Sequence, residues 1–193
     1  MDKKRQRCYN YNRKILQSSS VPNGEFKMSR LYLVFSDSHG NFFKVNEALA
    51  RQVKRPDGIF FLGDGIGDVK FFDKGSIPIY CVSGNCDRRE SFADDEAPEE
   101  NLVKICGYTV MMTHGHRYGV KSGLGNIISA AKERDADILL FGHTHERLEA
   151  TYMKDNGKPL YILNPGSIGG YNASFGVISI SDGGEILFSH GEI

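Results

Sequence analysis

Short apolar runs recur along the chain from residue 31 onward, and each one ends in a turn that contains Gly or Asp. Runs that are rich in β-branched and aromatic side chains and bounded by such turns are typical of β-strands. The pattern therefore predicts ten strands, at Leu31–Phe35, Ile59–Leu62, Ile77–Val82, Leu102–Ile105, Tyr108–Thr113, Ile138–Phe141, Leu148–Met153, Leu160–Leu163, Gly176–Ile180 and Glu185–Ser189.

Helical spacing appears between some of these strands. After the first strand, apolar residues lie four positions apart, at Val45, Leu49 and Val53. This spacing predicts a helix over Phe42–Val53, and similar reasoning predicts a second over Gly123–Arg134 and a short one near Asp68–Asp73. Strands that alternate with helices indicate an α/β fold, in which helices cover the sheet.

The strands near the C-terminus follow one another without helices between them. There, Asp182-Gly183-Gly184 predicts a hairpin turn that joins the last two strands. We therefore expect two packed mixed sheets with helices outside them. No internal repeat is visible, and a single domain is predicted over residues 29–193.

Charge divides the chain into two unequal parts. The 193 residues contain 24 Lys or Arg and 24 Asp or Glu, and this balance argues against a dedicated nucleic-acid binder. Residues 1–30, however, carry eight basic and two acidic side chains, a net charge of +6 that leaves −6 for the rest. We expect residues 1–28 to be a disordered basic extension; a sharper hypothesis is that Met28 is the true start.

Membrane insertion and secretion are not indicated by the sequence. It contains no stretch near the roughly 20 apolar residues that span a bilayer, and residues 1–28 lack the apolar region of a secretory signal. We therefore expect a cytoplasmic protein without a membrane partner. In that compartment its four cysteines, at positions 8, 81, 86 and 106, are expected to be free thiols.

Potential metal ligands follow five of the predicted strands directly. In an open α/β sheet, ligands bind outside the carboxyl ends of the strands, so these five clusters are expected to meet at one edge. The clusters are Asp37 with His39, Asp64, Asn85 with Cys86 and Asp87, His114 with His116, and His143 with His145.

The residue types in these clusters indicate a transition-metal site. Carboxylate and amide oxygens bind most divalent ions, whereas imidazole favours Mn, Fe, Ni or Zn over Mg or Ca. About seven candidate ligands exceed what one such ion binds, so two ions are expected.

The ordered set of motifs resembles the calcineurin-like metallophosphoesterase family. The Gly84-Asn85-Cys86-Asp87 form, the compact size and the Asn164-Pro165-Gly166-Ser167 turn resemble its small YfcE-type phosphodiesterase branch. This resemblance covers the chain from about residue 30 to its end. It implies a four-layer α/β-β-α sandwich of two mixed sheets flanked by helices, with a dinuclear metal centre.

The resemblance also implies roles for the candidate ligands. One metal ion would be bound by Asp37, His39 and His145, and the other by Asn85, His114 and His143. Asp64 would bridge the two ions. We expect Mn²⁺, with Ni²⁺, Fe²⁺ and Zn²⁺ as alternatives, and a small phosphoester substrate attacked in line by hydroxide from a metal-bound water.

Cys86 departs from the wider family, in which many members have His at this position. A thiol is a poorer proton donor to an alkoxide than an imidazolium is, and it brings no positive charge to the phosphate. His116 is therefore the candidate acid for the leaving group, with a solvated surface His as the alternative. Asp87 is expected to orient Asn85 by a hydrogen bond, and Asp68 to cap the short helix.

The missing positive charge predicts a preference for diesters or activated esters over monoesters. A phosphomonoesterase remains an alternative, and so does a non-catalytic protein-binding scaffold of the same fold, like the retromer subunit. A metallo-β-lactamase-like enzyme is disfavoured, because its His-x-His-x-Asp-His motif does not continue beyond His145 here. The sequence leaves the oligomeric state open.

Overall fold

Two five-stranded mixed sheets form the centre of the computed structural model, which describes residues 29–87 and 97–193. The expectation for residues 1–28 lies outside this part of the chain. The strands are β1 (Ser29–Phe35), β2 (Gly58–Phe61), β3 (Ile79–Cys81), β4 (Glu100–Ile105), β5 (Tyr108–Thr113), β6 (Ile138–Phe141), β7 (Arg147–Met153), β8 (Pro159–Pro165), β9 (Ser174–Ser181) and β10 (Ile186–Glu192).

The first sheet has the strand order β10-β9-β1-β2-β3. Strand β1 runs parallel to β2 and antiparallel to β9, with Phe35 opposite Phe61 in the parallel register. Strand β3 is shorter than predicted, because Ile77 closes the preceding turn with a bond from its N–H to the carbonyl of Lys74, and Pro78 has no N–H to donate. The antiparallel pair β9 and β10 is joined at the predicted hairpin turn.

The second sheet has the order β4-β5-β6-β8-β7. Its central strands β5, β6 and β8 are parallel, and β4 and β7 are antiparallel at the two edges. Strands β1, β2 and β3 of the first sheet and β5, β6 and β8 of the second are therefore each followed by a loop at the carboxyl end of a parallel strand.

Alternation along the strands divides the core into layers. In β1, Val34 faces the core between the two sheets, whereas Leu33 and Phe35 face the helices outside the first sheet. A third cluster, which includes Met111 of β5 and Ile127, lies between the second sheet and a helix. Because successive side chains of a strand point to opposite faces, this arrangement confirms the α/β fold of two mixed sheets flanked by helices.

The described residues include two α-helices, α1 (Phe42–Ala50) and α2 (Gly125–Glu133). Helix α1 ends before Val53, whose side chain is 83% exposed, so the prediction that Val53 extends its apolar face was wrong. The helix closes at Arg51 and Gln52, whose N–H groups donate to the carbonyls of Glu47 and Leu49, and the shorter-range bond of Gln52 tightens the last turn. The same part of the chain contains two 3₁₀ helices: Ile66–Phe71, close to the predicted short helix, and His116–Tyr118, which was not predicted. No helix in the described ranges is long and apolar enough to cross a bilayer.

Candidate metal centre

The loops after β1, β2, β5 and β6 are tied together by backbone hydrogen bonds. The N–H of Asp37 donates to the carbonyl of Gly63 (2.9 Å), and the N–H of His39 donates to that of Asp64 (3.1 Å). Across the two sheets, His143 N–H donates to Asp37 Oδ2 at 3.2 Å. The predicted convergence of strand-end clusters at one edge is therefore present in the structure.

The first group of candidate ligands, here called the outer triad, consists of Asp37, His39 and His145. One potential ligand atom from each residue lies within 4.8 Å of the other two. Asp37 is fully buried, and its Oδ1 has no hydrogen-bond partner within the described part of the chain. This oxygen lies 3.2 Å from His145 Nε2 and 3.8 Å from His39 Nε2.

The second group, here called the inner triad, consists of Asp64, His114 and His143, whose ligand atoms meet the same 4.8 Å limit. His114 Nε2 lies 3.3 Å from Asp64 Oδ2 and 3.1 Å from His143 Nδ1. Its Nδ1 lies 2.8 Å from the carbonyl oxygen of Leu62. Since a carbonyl only accepts, Nδ1 carries a proton, and the lone pair of Nε2 in the neutral ring faces the inner triad.

Charge is concentrated in the inner triad. Burial opposes ionisation of Asp64, but hydrogen bonds from His114 and from the backbone N–H of Cys86 (2.7 Å) hold its pKa well below the usual range. Burial likewise opposes a charged His114, but the bond to Asp64 and the charge of Asp37 raise its pKa. Burial and the neighbouring His114 lower the pKa of His143. The site thus holds a carboxylate beside an imidazole of increased basicity.

Five of the six triad residues have a backbone conformation that disfavours side chains. Their φ angles are positive, between 46° and 67°, which is the left-handed region usually occupied by glycine. The residues are Asp37, His39, Asp64, His143 and His145. Such strain tends to concentrate at functional sites, where the surrounding structure holds it in place.

Close backbone packing explains two glycines beside the triads. A Cβ on Gly84 would lie 2.2 Å from Asp64 Oδ1, and one on Gly142 would lie 1.9 Å from Ser36 Oγ. Neither contact is sterically possible, so glycine at these positions permits the loops to approach the carboxylates.

Asn85 and Cys86 lie beside the triads and are exposed. The amide Nδ2 of Asn85 donates to Cys86 Sγ at 3.2 Å. A hydrogen bond from the thiol to Asp64, together with partial burial, raises the pKa of Cys86. Its Sγ also forms a third potential ligand group, with His39 and Asp64. The predicted role of Asn85 as a metal ligand stays a prediction.

Asp87 acts differently from the predicted hydrogen bond to Asn85. Its carboxylate accepts four backbone N–H bonds of 2.7 to 2.9 Å, and within the described residues Asn85 is not among its partners. The four donors are Asp64, Gly65, Ile66 and Gly84. Asp87 therefore joins the loops that follow β2 and β3 and fixes the backbone of Asp64.

Asp68 also binds a loop rather than capping the short helix. Its Oδ2 accepts hydrogen bonds from Ser38 Oγ (2.6 Å) and from the backbone N–H of Gly40 (2.9 Å). The cap position is Gly65, which makes no side-chain bond. The prediction of a helix cap was therefore wrong, and Asp68 supports the loop after β1, which carries Asp37 and His39 of the outer triad.

His116 lies next to the inner triad and is half-buried. Its ring centre is 5.4 Å from that of His114. Its Nδ1 is buried without a hydrogen-bond partner among the described residues, and burial followed by the charge of His114 lowers its pKa. The structure thus places the His116 ring beside the candidate ligands, and its role as the leaving-group acid stays a prediction.

In the sequence, the turn Asn164-Pro165-Gly166-Ser167 is only a sign of family resemblance. In the structure, it supports loops that follow strands of both sheets. Asn164 Nδ2 donates to the carbonyl of Gly142 and to Thr144 Oγ1, each at 3.0 Å. Ser167 Oγ donates to the carbonyl of Asp37 at 2.9 Å. These contacts depend on tertiary structure, and the only signal in the sequence was a turn-like Asn-Pro-Gly-Ser after a predicted strand.

The residues present fit a divalent metal ion. A buried carboxylate oxygen without a partner is costly unless a cation compensates it. In addition, two ring-nitrogen pairs, one in each triad, lie 3.1 and 3.4 Å apart, and each pair can share at most one proton. Oxygen and imidazole donors in this number suit Mn²⁺, Fe²⁺, Ni²⁺ or Zn²⁺.

Comparison with known proteins gives a consistent result. The sequence model of the calcineurin-like phosphoesterase superfamily domain matches residues 31–183. The probable metallophosphoesterase YsnB of Bacillus subtilis is 31% identical over 140 residues, which is 70% of this chain and 73% of that protein.

Two solved structures share the fold. One is a Streptococcus pneumoniae protein described as a predicted phosphoesterase, with a TM-score of 0.58, 22% identity, and coverage of 86% of this chain and 99% of that one. The other is Vacuolar Protein Sorting 29 of Cryptosporidium parvum, with a TM-score of 0.66, 21% identity, and coverage of 86% and 98%.

Proposed function

The chain belongs to the calcineurin-like phosphoesterase superfamily, a family of metal-dependent phosphoesterases, and from this premise we propose that it is a dinuclear phosphodiesterase. The single observation that carries the proposal is the pair of adjacent triads, with the unpartnered Asp37 Oδ1 directed into one of them. Two clusters of oxygen and nitrogen ligands at one sheet edge suit a two-ion hydrolytic centre.

We propose that the outer ion is held by Asp37, His39 and His145, and the inner ion by Asn85, His114 and His143. Asp64 would bridge them, since its carboxylate belongs to the inner triad and also lies within reach of His39. When bound, two divalent ions neutralise phosphoryl oxygens and acidify the water that attacks phosphorus. We propose Mn²⁺, with Ni²⁺, Fe²⁺ and Zn²⁺ as alternatives.

The protein groups around the centre determine its charge. Asp37 and Asp64 are the only carboxylates of the two triads, and the histidines of the triads are neutral when they bind. Four positive charges from the ions therefore exceed two negative charges from the carboxylates, and the excess attracts an anionic ester. No side-chain nucleophile is required.

Leaving-group protonation is assigned to His116. Its ring lies beside the inner triad, and its lowered pKa leaves it mostly neutral near pH 7, so the protonated minority would donate the proton. A neutral imidazole, like the Cys86 thiol, adds no positive charge that could balance a second negative charge on phosphate. A diester, which carries one negative charge, therefore suits this site better than a monoester.

The preference is tested by comparing turnover of bis(p-nitrophenyl) phosphate and p-nitrophenyl phosphate after loading with Mn²⁺, Ni²⁺, Zn²⁺ or Mg²⁺. We expect faster turnover of the diester and two bound ions per chain by elemental analysis. Strong preference for the monoester would instead identify a phosphomonoesterase.

The role of His116 is tested separately with diesters of good and poor leaving groups. We expect His116→Ala to slow the poor leaving groups by about a hundredfold and the good ones much less, because general acid catalysis typically contributes that much. The matched control is His190→Ala, because His190 is also half-buried and its Nε2 bonds to the carbonyl of Asn164. Full turnover of poor leaving groups by His116→Ala would remove this role.

A protein-binding scaffold is the second candidate, and the fold shared with Vacuolar Protein Sorting 29 is the observation that favours it. A scaffold does not require the unpartnered, buried carboxylate of the outer triad. Purified protein that binds two ions but hydrolyses no phosphoester would support the scaffold over the enzyme.

A further inference from the structure

A third group of ligand atoms lies where the two triads meet. Cys86 Sγ, a ring nitrogen of His39 and a carboxylate oxygen of Asp64 all lie within 4.8 Å of one another. Ligands that bind one ion at about 2.0 to 2.3 Å are at most about 4.6 Å apart. The thiol therefore lies close to the distance at which it can share an ion with its two neighbours.

We propose that Cys86 is a metal ligand of this centre, in addition to the oxygen and imidazole ligands, and that it binds through Sγ as a thiolate. The inference rests on the metal centre of the proposed function and deepens it. The thiol proton leaves to solvent as the sulfur binds. Thiolate selects softer ions, so the site next to Cys86 would take Zn²⁺, Co²⁺ or Fe²⁺ in preference to Mg²⁺ or Mn²⁺.

The surroundings of the sulfur support this assignment. The backbone N–H of Cys86 donates to Asp64 Oδ1 at 2.7 Å, which fixes the residue beside the carboxylate. The amide of Asn85 donates to Sγ, so the sulfur already accepts a hydrogen bond, as a bound thiolate would. Independently, the buried and unpartnered Asp37 Oδ1, 3.8 Å from His39 Nε2, marks a cation position next to the same histidine.

The other described cysteines have no such neighbours. Cys81 lies in β3 among apolar residues of the first sheet, and burial raises its pKa to about 12. Cys106 lies in the turn between β4 and β5, 3.6 Å from the hydroxyl of Tyr32. Substitutions of these cysteines are therefore controls for any effect on metal binding that does not depend on the position of Cys86.

Cobalt spectroscopy tests the proposal without using turnover. Metal-free full-length protein is titrated anaerobically with Co²⁺, and ligand-field bands in the visible report binding at the centre. A sulfur-to-cobalt charge-transfer band in the near ultraviolet reports the thiolate. We expect both signals in the wild type, loss of only the charge-transfer band in Cys86→Ser, and both signals in a variant with Ser at positions 8, 81 and 106.

The outcomes separate this inference from the proposed function. Visible bands without a charge-transfer band in the wild type would overturn the role of Cys86 and leave the metal centre standing. Loss of the charge-transfer band from the variant that keeps only Cys86 would assign it to another thiol and overturn the proposal as well. Absence of both signals would contradict the centre itself.

Metal competition provides a second measurement. In the wild type we expect Zn²⁺ to displace Mn²⁺ readily, and in Cys86→Ser we expect this preference to fall by about tenfold or more, since even ligand-supporting residues change affinity by that factor. Cys81→Ser is the matched control and should keep the wild-type preference. An unchanged preference in Cys86→Ser would contradict thiolate binding.

Discussion

The inner and outer triads present similar ligands in different surroundings. In the inner triad, His114 is completely buried, and the carbonyl of Leu62 fixes its tautomer. In the outer triad, the side chains of His39 and His145 are 39% and 48% exposed. Within the described residues, the hydrogen-bond and ion-pair contacts of these ring nitrogens involve only each other and Asp37.

This difference indicates how each triad acquires its geometry. The inner triad is preorganised by hydrogen bonds to the backbone, so an ion entering it has little ordering to impose. The outer triad has one fixed member, the buried Asp37, and two histidines that an ion must order. We therefore expect the inner ion to bind first and more tightly, and the outer ion to exchange with solvent.

The largest expected effect is that of His114→Ala. It removes the inner ligand whose orientation is fixed and takes away the imidazole partner of the buried Asp64 Oδ2. Several kcal/mol of transition-state stabilisation are lost with the ion, so turnover should fall by about a thousandfold or more. Elemental analysis should show that the inner ion is lost. Retention of two tightly bound ions would remove the distinction between the triads.

Asp87→Ala should have the next largest effect, because it leaves four backbone N–H groups without their acceptor. Each unsatisfied group costs about 1 kcal/mol or more, and water replaces part of the loss, so we expect destabilisation by about 3 kcal/mol. Urea unfolding measures the loss of stability, and metal titration measures the change in ion binding.

The exposed turn residue Asp182 supplies the control for this variant, since Asp182→Ala should change stability by less than about 0.5 kcal/mol. Asp87→Asn keeps one acceptor oxygen and should give an intermediate result. Equal stability of Asp87→Ala and Asp182→Ala would show that the loops after β2 and β3 are held by other contacts.

His145→Ala is expected to affect metal binding alone. Its side chain is about half exposed, so the free energy of unfolding of the metal-free protein should change by less than about 0.5 kcal/mol. Affinity for the outer ion should fall by about ten- to a hundredfold, and excess metal should restore turnover. Failure of excess metal to rescue activity would mean that the outer triad is as preorganised as the inner one.

The smallest expected effect is a pH dependence of the metal-free protein. The pKa of His114 is raised above 6.5 in the folded chain, so its charged form stabilises the fold below that value, and this contribution is lost as pH rises through the folded pKa. The pKa of Asp64 is lowered from 3.8, so its contribution is present above 3.8 and is lost as pH falls toward the folded value.

Stability of the chelator-treated protein should therefore be greatest in the mildly acidic range between these limits. His114→Gln should remove the decline on the alkaline side, and His145→Gln should keep it. Urea unfolding followed from pH 4 to pH 9 measures this difference. Identical profiles for the two variants would contradict a charged pair specific to the inner triad.

Sequence reasoning located the strands and the strand-end clusters because both leave local patterns. The apolar alternation of Leu33, Val34 and Phe35 reports burial on two faces, and ligand types directly after a strand report the sheet edge. The contacts of Asp68 and Asp87 could not be predicted, since each carboxylate binds backbone groups of a loop distant in sequence. The prediction that Val53 belongs to the helix was wrong for a related reason, because periodicity alone does not show where the chain must leave a helix.

The left-handed backbone at five of the six triad residues has an evolutionary consequence. An L side chain in this region costs about 1 to 2 kcal/mol relative to glycine, so mutation to Gly at these positions would relieve strain in the metal-free fold. A lineage released from the need for ligands would drift toward the more stable glycine. Aspartate and histidine at all five positions therefore each carry a cost in stability that glycine would avoid.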